Sequence, residues 1–127
     1  MKTILVDAVD AFVIKDRGIF KGMWDLLETY PNKKIILTGA NDEQFKEFGL
    51  DKMPYKIFTL KHNPEKTDSK YYKIMLKHFR LSSHDVVYFE HNQRAVKSAK
   101  SVGISTHYYD SDKKDLESLK KFLNDNL

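Results

Sequence analysis

Three short apolar runs, each ending in polar residues, dominate this chain. Ile4-Leu5-Val6 delivers Asp7, Ile35-Ile36-Leu37 delivers Thr38 and Gly39, and Val86-Val87-Tyr88-Phe89 delivers Glu90 and His91. An apolar run without alternation reads as a strand covered on both faces. Between these runs the apolar period changes. Phe20, Met23, Trp24 and Leu27, and later Tyr72, Met75, Leu76 and Phe79, recur at i, i+3, i+4, i+7, the stripe of an amphipathic helix. Strands that alternate with helices predict an α/β fold: a doubly wound, Rossmann-like domain of about five parallel strands with helices on both faces.

The punctuation fits that reading. Pro31-Asn32 ends the first helix, Asn41 with Gln44 three residues on reads as a capping box, and Thr67 or Asp68 caps the helix that carries Tyr72. Asn92 caps a helix with Ala95, Val96, Ala99 and Val102 inward, and Gly103 suits its C′ position. Lys56 to Leu60 and Ile104 to Tyr108 supply the remaining strands, and Leu116, Leu119, Phe122 and Leu123 line a last helix. With 127 residues, 41% of them apolar, residues 1–127 are expected to form one domain with a buried core.

Composition excludes several chemistries. The chain has no cysteine, so disulfides, thiolate nucleophiles and cysteine zinc sites are ruled out. No apolar stretch is long enough to span a membrane, and Met1-Lys2-Thr3 leads straight into strand-like sequence; a cytoplasmic location without membrane association is the expectation. The net charge is +4, and from Lys52 to Arg80 eight basic residues face two acidic ones. That bias reads as a solvated surface or as attraction for a phosphorylated, anionic partner. Nucleic acid is compatible with it but has no supporting motif. His62, His78, His84 and His107 lack metal-ligand spacing and read as surface or partly buried side chains, and the tyrosines as packing.

In open α/β sheets, ligands bind outside the carboxyl ends of the strands. Asp7, Thr38-Gly39 and Glu90-His91 all fall at such ends and should converge on one crevice. Together with Lys66, which opens the Tyr72 helix and is preferred to Lys61 in Lys61-His62-Asn63-Pro64 because the downstream helix register then fits without gaps, they resemble, in order, the four motifs of the haloacid dehalogenase (HAD) superfamily. The resemblance covers almost the whole chain. It implies a Mg²⁺-dependent phosphohydrolase that works through an aspartyl-phosphate. Asp7 would be nucleophile and metal ligand, Thr38 and Gly39 would bind the phosphoryl group, and Lys66 would neutralise charge on both. Glu90 and His91 would support the metal.

Two positions depart from the family pattern. The first motif usually carries a second aspartate two residues on, as general acid/base; here that residue is Val9, and Asp10 follows it. Either a backbone shift lets Asp10 take the role, or the role is lost. At the fourth motif His91 occupies the usual metal-ligand place, and Ala95 stands four residues beyond. Mg²⁺ prefers hard oxygen ligands, whereas imidazole suits softer metals.

About 27 residues separate Asp10 from Thr38, and a helix and strand fill the span from Thr38 to Lys66, so neither gap holds a cap domain. The implied class is capless. Its substrate is a phosphorylated small molecule or a macromolecule, and a homo-oligomer is one way to close an open site. The lysine-rich helix face, with Lys70 and Lys77, is placed to flank such a substrate. The alternative is a non-catalytic phosphate- or metal-binding or interaction module, favoured by Val9, His91 and Ala95. A response-regulator-like receiver fits less well, because its lysine follows a later strand.

Overall fold

The computed structural model describes residues 1–127. Strand β1 (Thr3–Asp7) is followed by a small antiparallel hairpin, β2 (Val13–Ile14) and β3 (Gly18–Ile19), and then by helix α1 (Lys21–Glu28). The chain continues through β4 (Lys34–Thr38), α2 (Asp42–Glu47), β5 (Lys56–Thr59), α3 (Ser69–Phe79), β6 (Val86–Glu90), α4 (Gln93–Ser101), β7 (Ser105–Tyr108) and α5 (Leu116–Asn126). The five long strands form one parallel sheet in the order β5-β4-β1-β6-β7. The expected α/β architecture is therefore observed.

That order explains where a ligand site can form. From β1 the chain winds outward through β4 and β5, then returns to the other side of β1 for β6 and β7. The strand order reverses at β1, so the crevice beside its carboxyl end is the topological switch point. Strand alternation divides the core between two faces. Ile4, Val6, Ile36, Val87 and Phe89 pack with Met23 and Leu27 of α1 and with Leu119 and Leu123 of α5. Leu5, Ile35, Leu37 and Tyr88 pack on the opposite face with Tyr71, Tyr72 and Met75 of α3 and Ala99 of α4. At about 1.5–3 kcal/mol for each large apolar side chain removed from water, both layers contribute strongly to stability.

The helix ends follow the sequence signals. Asn41 and Gln44 form the reciprocal capping box of α2. Asp68, rather than Thr67, caps α3, and Asn92 accepts from the backbone N–H groups of Arg94 and Ala95 at the start of α4. Gly103 has φ +88°, the left-handed conformation expected one residue past a helix end. Two local features differ from expectation. Lys66 lies in the loop before α3 instead of opening the helix. The β2–β3 hairpin carries no sequence signal, because strands of two residues are too short to show any alternation.

No helix is long and apolar enough to cross a membrane.

Candidate functional site

Register fixes the floor of the crevice. Val6 of β1 lies beside Phe89 of β6, so Asp7 and Glu90 are the next residues along two adjacent strands. Alternation puts Asp7 on the side of Leu5, and Glu90 on the side of Tyr88, both facing α3 and α4. Lys66 reaches in from the loop before α3. Its ammonium donates to Asp7 Oδ1 at 2.8 Å and Glu90 Oε1 at 2.6 Å, and also to the Leu37 carbonyl at 3.3 Å. Asp7 is 1% exposed, Glu90 is 0% and the Lys66 side chain is 15%, so this bridge is largely shielded from water. Buried charges persist only when paired and hydrogen-bonded, as these are.

His91 completes the floor. Its backbone N–H donates to Asp7 Oδ2 at 2.9 Å, and its ring Nδ1 hydrogen-bonds the same oxygen. Nδ1 also lies 3.3 Å from Glu90 Oε2, and Nε2 lies 3.7 Å from Asp10 Oδ2. Hydrogen bonding to Asp7, then to Glu90, pushes the imidazole up to about 10, despite partial burial. Burial, then the neighbouring Glu90 charge, raises the Asp7 carboxyl, with Lys66 and His91 opposing. For Glu90, burial is outweighed by Lys66 and by hydrogen bonds from His91, Lys66 and Tyr88, which hold its carboxyl well below the usual range. Two buried carboxyl groups thus face an ammonium and an imidazole.

The walls rise from the turns after β4 and β5. Thr38, Gly39 and Ala40 form one edge of a crevice of about 270 Å³, with Asn92 and Ala95 of the α4 start opposite and Lys15 from the hairpin at the mouth. Thr38 Oγ1 accepts from the Ala40 N–H at 3.2 Å, which leaves its own O–H as a donor. Tyr71 of α3 pins this turn from beneath: its buried hydroxyl donates to the Thr38 carbonyl at 2.8 Å. The Tyr71 aromatic is thus a support for the turn as well as core.

Most of the sequence-selected residues border the crevice: Asp7, Thr38, Gly39, Lys66, Glu90 and His91. Asp10 does not line it. It sits in a left-handed turn at φ +71°, with its side chain 48% exposed, and its nearest charged neighbour is His91. Val9 does line the crevice. Lys70 and Lys77, expected to flank it, are exposed on α3 and are not among its lining residues. Sequence reasoning passed over a second cluster. His62 Nδ1 pairs with Glu65 at 2.9 Å and Nε2 with Gln44 Oε1 at 2.6 Å, and all three line the crevice. A Cβ at Gly39 would come 3.4 Å from His62 Nδ1, an ordinary van der Waals contact, which places the imidazole directly against the turn. In sequence this segment offers only Lys61 as a competitor to Lys66, and nothing in it marks His62 as part of a site.

Asp7, Glu90 and His91 bring one ligand atom each within 4.8 Å of one another, the spacing of a metal centre. The donor set does not fit Mg²⁺ as it is arranged. Asp7 Oδ1 accepts from Lys66 and Oδ2 accepts twice from His91. Glu90 Oε1 accepts from Lys66 and Tyr88, and Oε2 accepts from the Asn92 N–H at 2.9 Å. Each of these oxygens already accepts a hydrogen bond, so a hard cation would compete with Lys66 and His91 for the carboxylates, and the third donor is a nitrogen.

The sequence matches no protein-family profile and no curated protein. Solved structures do match. One is an uncharacterized protein from Corynebacterium glutamicum ATCC 13032 Kitasato, at TM-score 0.62 and 14% identity, covering 98% of this chain and 96% of the other. The core domain of a "putative phosphoglycolate phosphatase" from Streptococcus pneumoniae TIGR4 matches with the same score, identity and coverage. At this identity the likeness is one of fold alone: a small domain built on a parallel α/β sheet.

Proposed function

We propose that this chain is a capless HAD-type phosphohydrolase, in which Asp7 accepts the phosphoryl group of a phosphate monoester. The observation that carries the reading is Lys66, which bridges the Asp7 and Glu90 carboxylates at the floor of a crevice edged by Thr38 and Gly39. Asp7 Oδ1 accepts one hydrogen bond and keeps a lone pair, so it is the atom available to attack phosphorus. As the new Oδ1–P bond forms, the bond from phosphorus to the ester oxygen breaks and the electron pair leaves on that oxygen. Lys66 offsets the negative charge, and the Thr38 hydroxyl donates to a phosphoryl oxygen. Water then attacks the aspartyl-phosphate, releasing inorganic phosphate and regenerating Asp7.

Val9 limits this scheme. It lines the crevice and cannot protonate the departing oxygen. Aryl and acyl phosphates, whose leaving groups depart without a proton, should therefore turn over far faster than alkyl phosphates. The test is hydrolysis of an aryl, acyl and alkyl phosphate panel, with and without Mg²⁺, beside Asp7→Asn. Turnover that disappears in Asp7→Asn supports the proposal. Turnover equal in both proteins refutes it.

A second reading, a phosphate-binding module without turnover, is favoured by one observation: Asp10, the remaining acid, stands outside the crevice lining. Saturable phosphate binding with no hydrolysis of any ester in the panel would select it.

A further inference from the structure

We propose that the crevice takes up a phosphate group without a divalent cation, because Lys66 and His91 hold the carboxylates that such a cation would have to bridge. The inference rests on the reading of the crevice as a phosphate site. Asp7 and Glu90 present four oxygens, and each already accepts from Lys66, His91, Tyr88 or the Asn92 backbone. A cation bound to either carboxylate would have to share an oxygen with one of these donors.

Charge points the same way. Lys66 lies 2.8 Å from Asp7 and 2.6 Å from Glu90, so a divalent ion on either oxygen would sit against an ammonium in a site shielded from water. Like charges at such distances repel strongly where solvent does not screen them. The other side-chain carboxylate and amide oxygens on the far rim, on Glu65 and Gln44, are paired with His62. Ala95, four residues beyond His91, is apolar, and His91 supplies only nitrogen. Donors, by contrast, remain for an anion: the Thr38 hydroxyl, and the ammonium of Lys15, 5.8 Å above the Phe48 ring at the crevice mouth.

The experiment titrates the full chain with inorganic phosphate by calorimetry, once in EDTA and once in excess Mg²⁺. In parallel, the His91 amide is followed by NMR as Mg²⁺ alone is added. The expected result is phosphate affinity equal within about twofold in the two buffers, and no saturable movement of the His91 amide. His91→Asp replaces the imidazole by a hard oxygen donor; it should lose at least tenfold in phosphate affinity in EDTA and recover it with Mg²⁺. Saturable Mg²⁺ binding by the wild-type protein, or phosphate binding that requires Mg²⁺, overturns the inference and leaves the proposed phosphohydrolase standing. Phosphate binding in neither buffer overturns both. The wild-type titrations decide the matter even if His91→Asp fails to fold.

Discussion

The floor and the rim of the crevice are built on opposite plans. At the floor, Asp7, Glu90, Lys66 and His91 are pinned at strand ends and a helix approach, shielded from water, and paired with one another. At the rim, His62, Glu65 and Gln44 also form hydrogen bonds, but from a turn and a six-residue helix, with His62 and Glu65 side chains 38% and 55% exposed. Similar contacts therefore have different worth. Removing one partner from a buried charge pair leaves an uncompensated charge in a poor solvent for it, whereas an exposed partner is replaced by water.

The largest effect is expected from Lys66→Met. It leaves two buried carboxylates side by side, and should lower folding stability by roughly 3–5 kcal/mol. Adding Glu90→Gln should restore part of the loss, since one of the two charges is then gone. Urea unfolding of both variants tests the comparison at its root: a single variant as stable as the wild type would mean that the floor behaves like the rim.

The comparison also explains what was legible in the sequence. Buried strands advertise themselves as apolar runs, and strand parity then dictates which side of the sheet their end residues face. Asp7, Thr38 and Glu90 could be assembled in this way without coordinates. Caps were readable for the same reason, because Asn41, Asp68 and Asn92 act on their immediate neighbours. The His62–Glu65–Gln44 cluster was not readable. It joins a loop to a helix eighteen residues earlier, and neither carries a periodic signal. The position of Asp10 was equally hidden, because a left-handed turn breaks the alternation that would otherwise aim its side chain. Nor could the occupancy of every carboxylate oxygen be inferred from residue types, since it depends on hydrogen-bond geometry.

The next effect is a pH dependence located at His91. Its folded value is raised, to about 10, above an ordinary 6.5, chiefly by Asp7 and Glu90, with Asp10 and Lys66 the other charged groups around it. Stability from this group is therefore complete below pH 6.5 and lost as pH rises toward 10. The stability difference between wild type and His91→Asn should shrink steadily across that window. Thermal unfolding at pH 6, 8 and 10 reads it, and a difference that stays constant would place His91 outside the charge network.

Tyr88→Phe probes a neutral donor in the same floor. The Tyr88 hydroxyl is buried and hydrogen-bonds Glu90. Hydrogen bonds to charged groups contribute about 1.5–3 kcal/mol. Glu90 retains Lys66 and the Asn92 N–H, so a loss near the lower end is expected by chemical denaturation.

The smallest effect belongs to the rim. His62→Ala removes the pairings to Glu65 and Gln44, but each of these side chains can turn to water, and the Asn41–Gln44 capping box of α2 stays in place. Exposed pairs of this type contribute about 0–1 kcal/mol, so the change in unfolding free energy should fall within about 0.5 kcal/mol of zero. A larger loss would show that the rim shares the floor's dependence on pairing. The same variant sharpens the functional side of the comparison through phosphate affinity. The imidazole stands against the turn that carries Thr38, so a binding loss without a stability loss would make His62 part of the anion site rather than part of the fold.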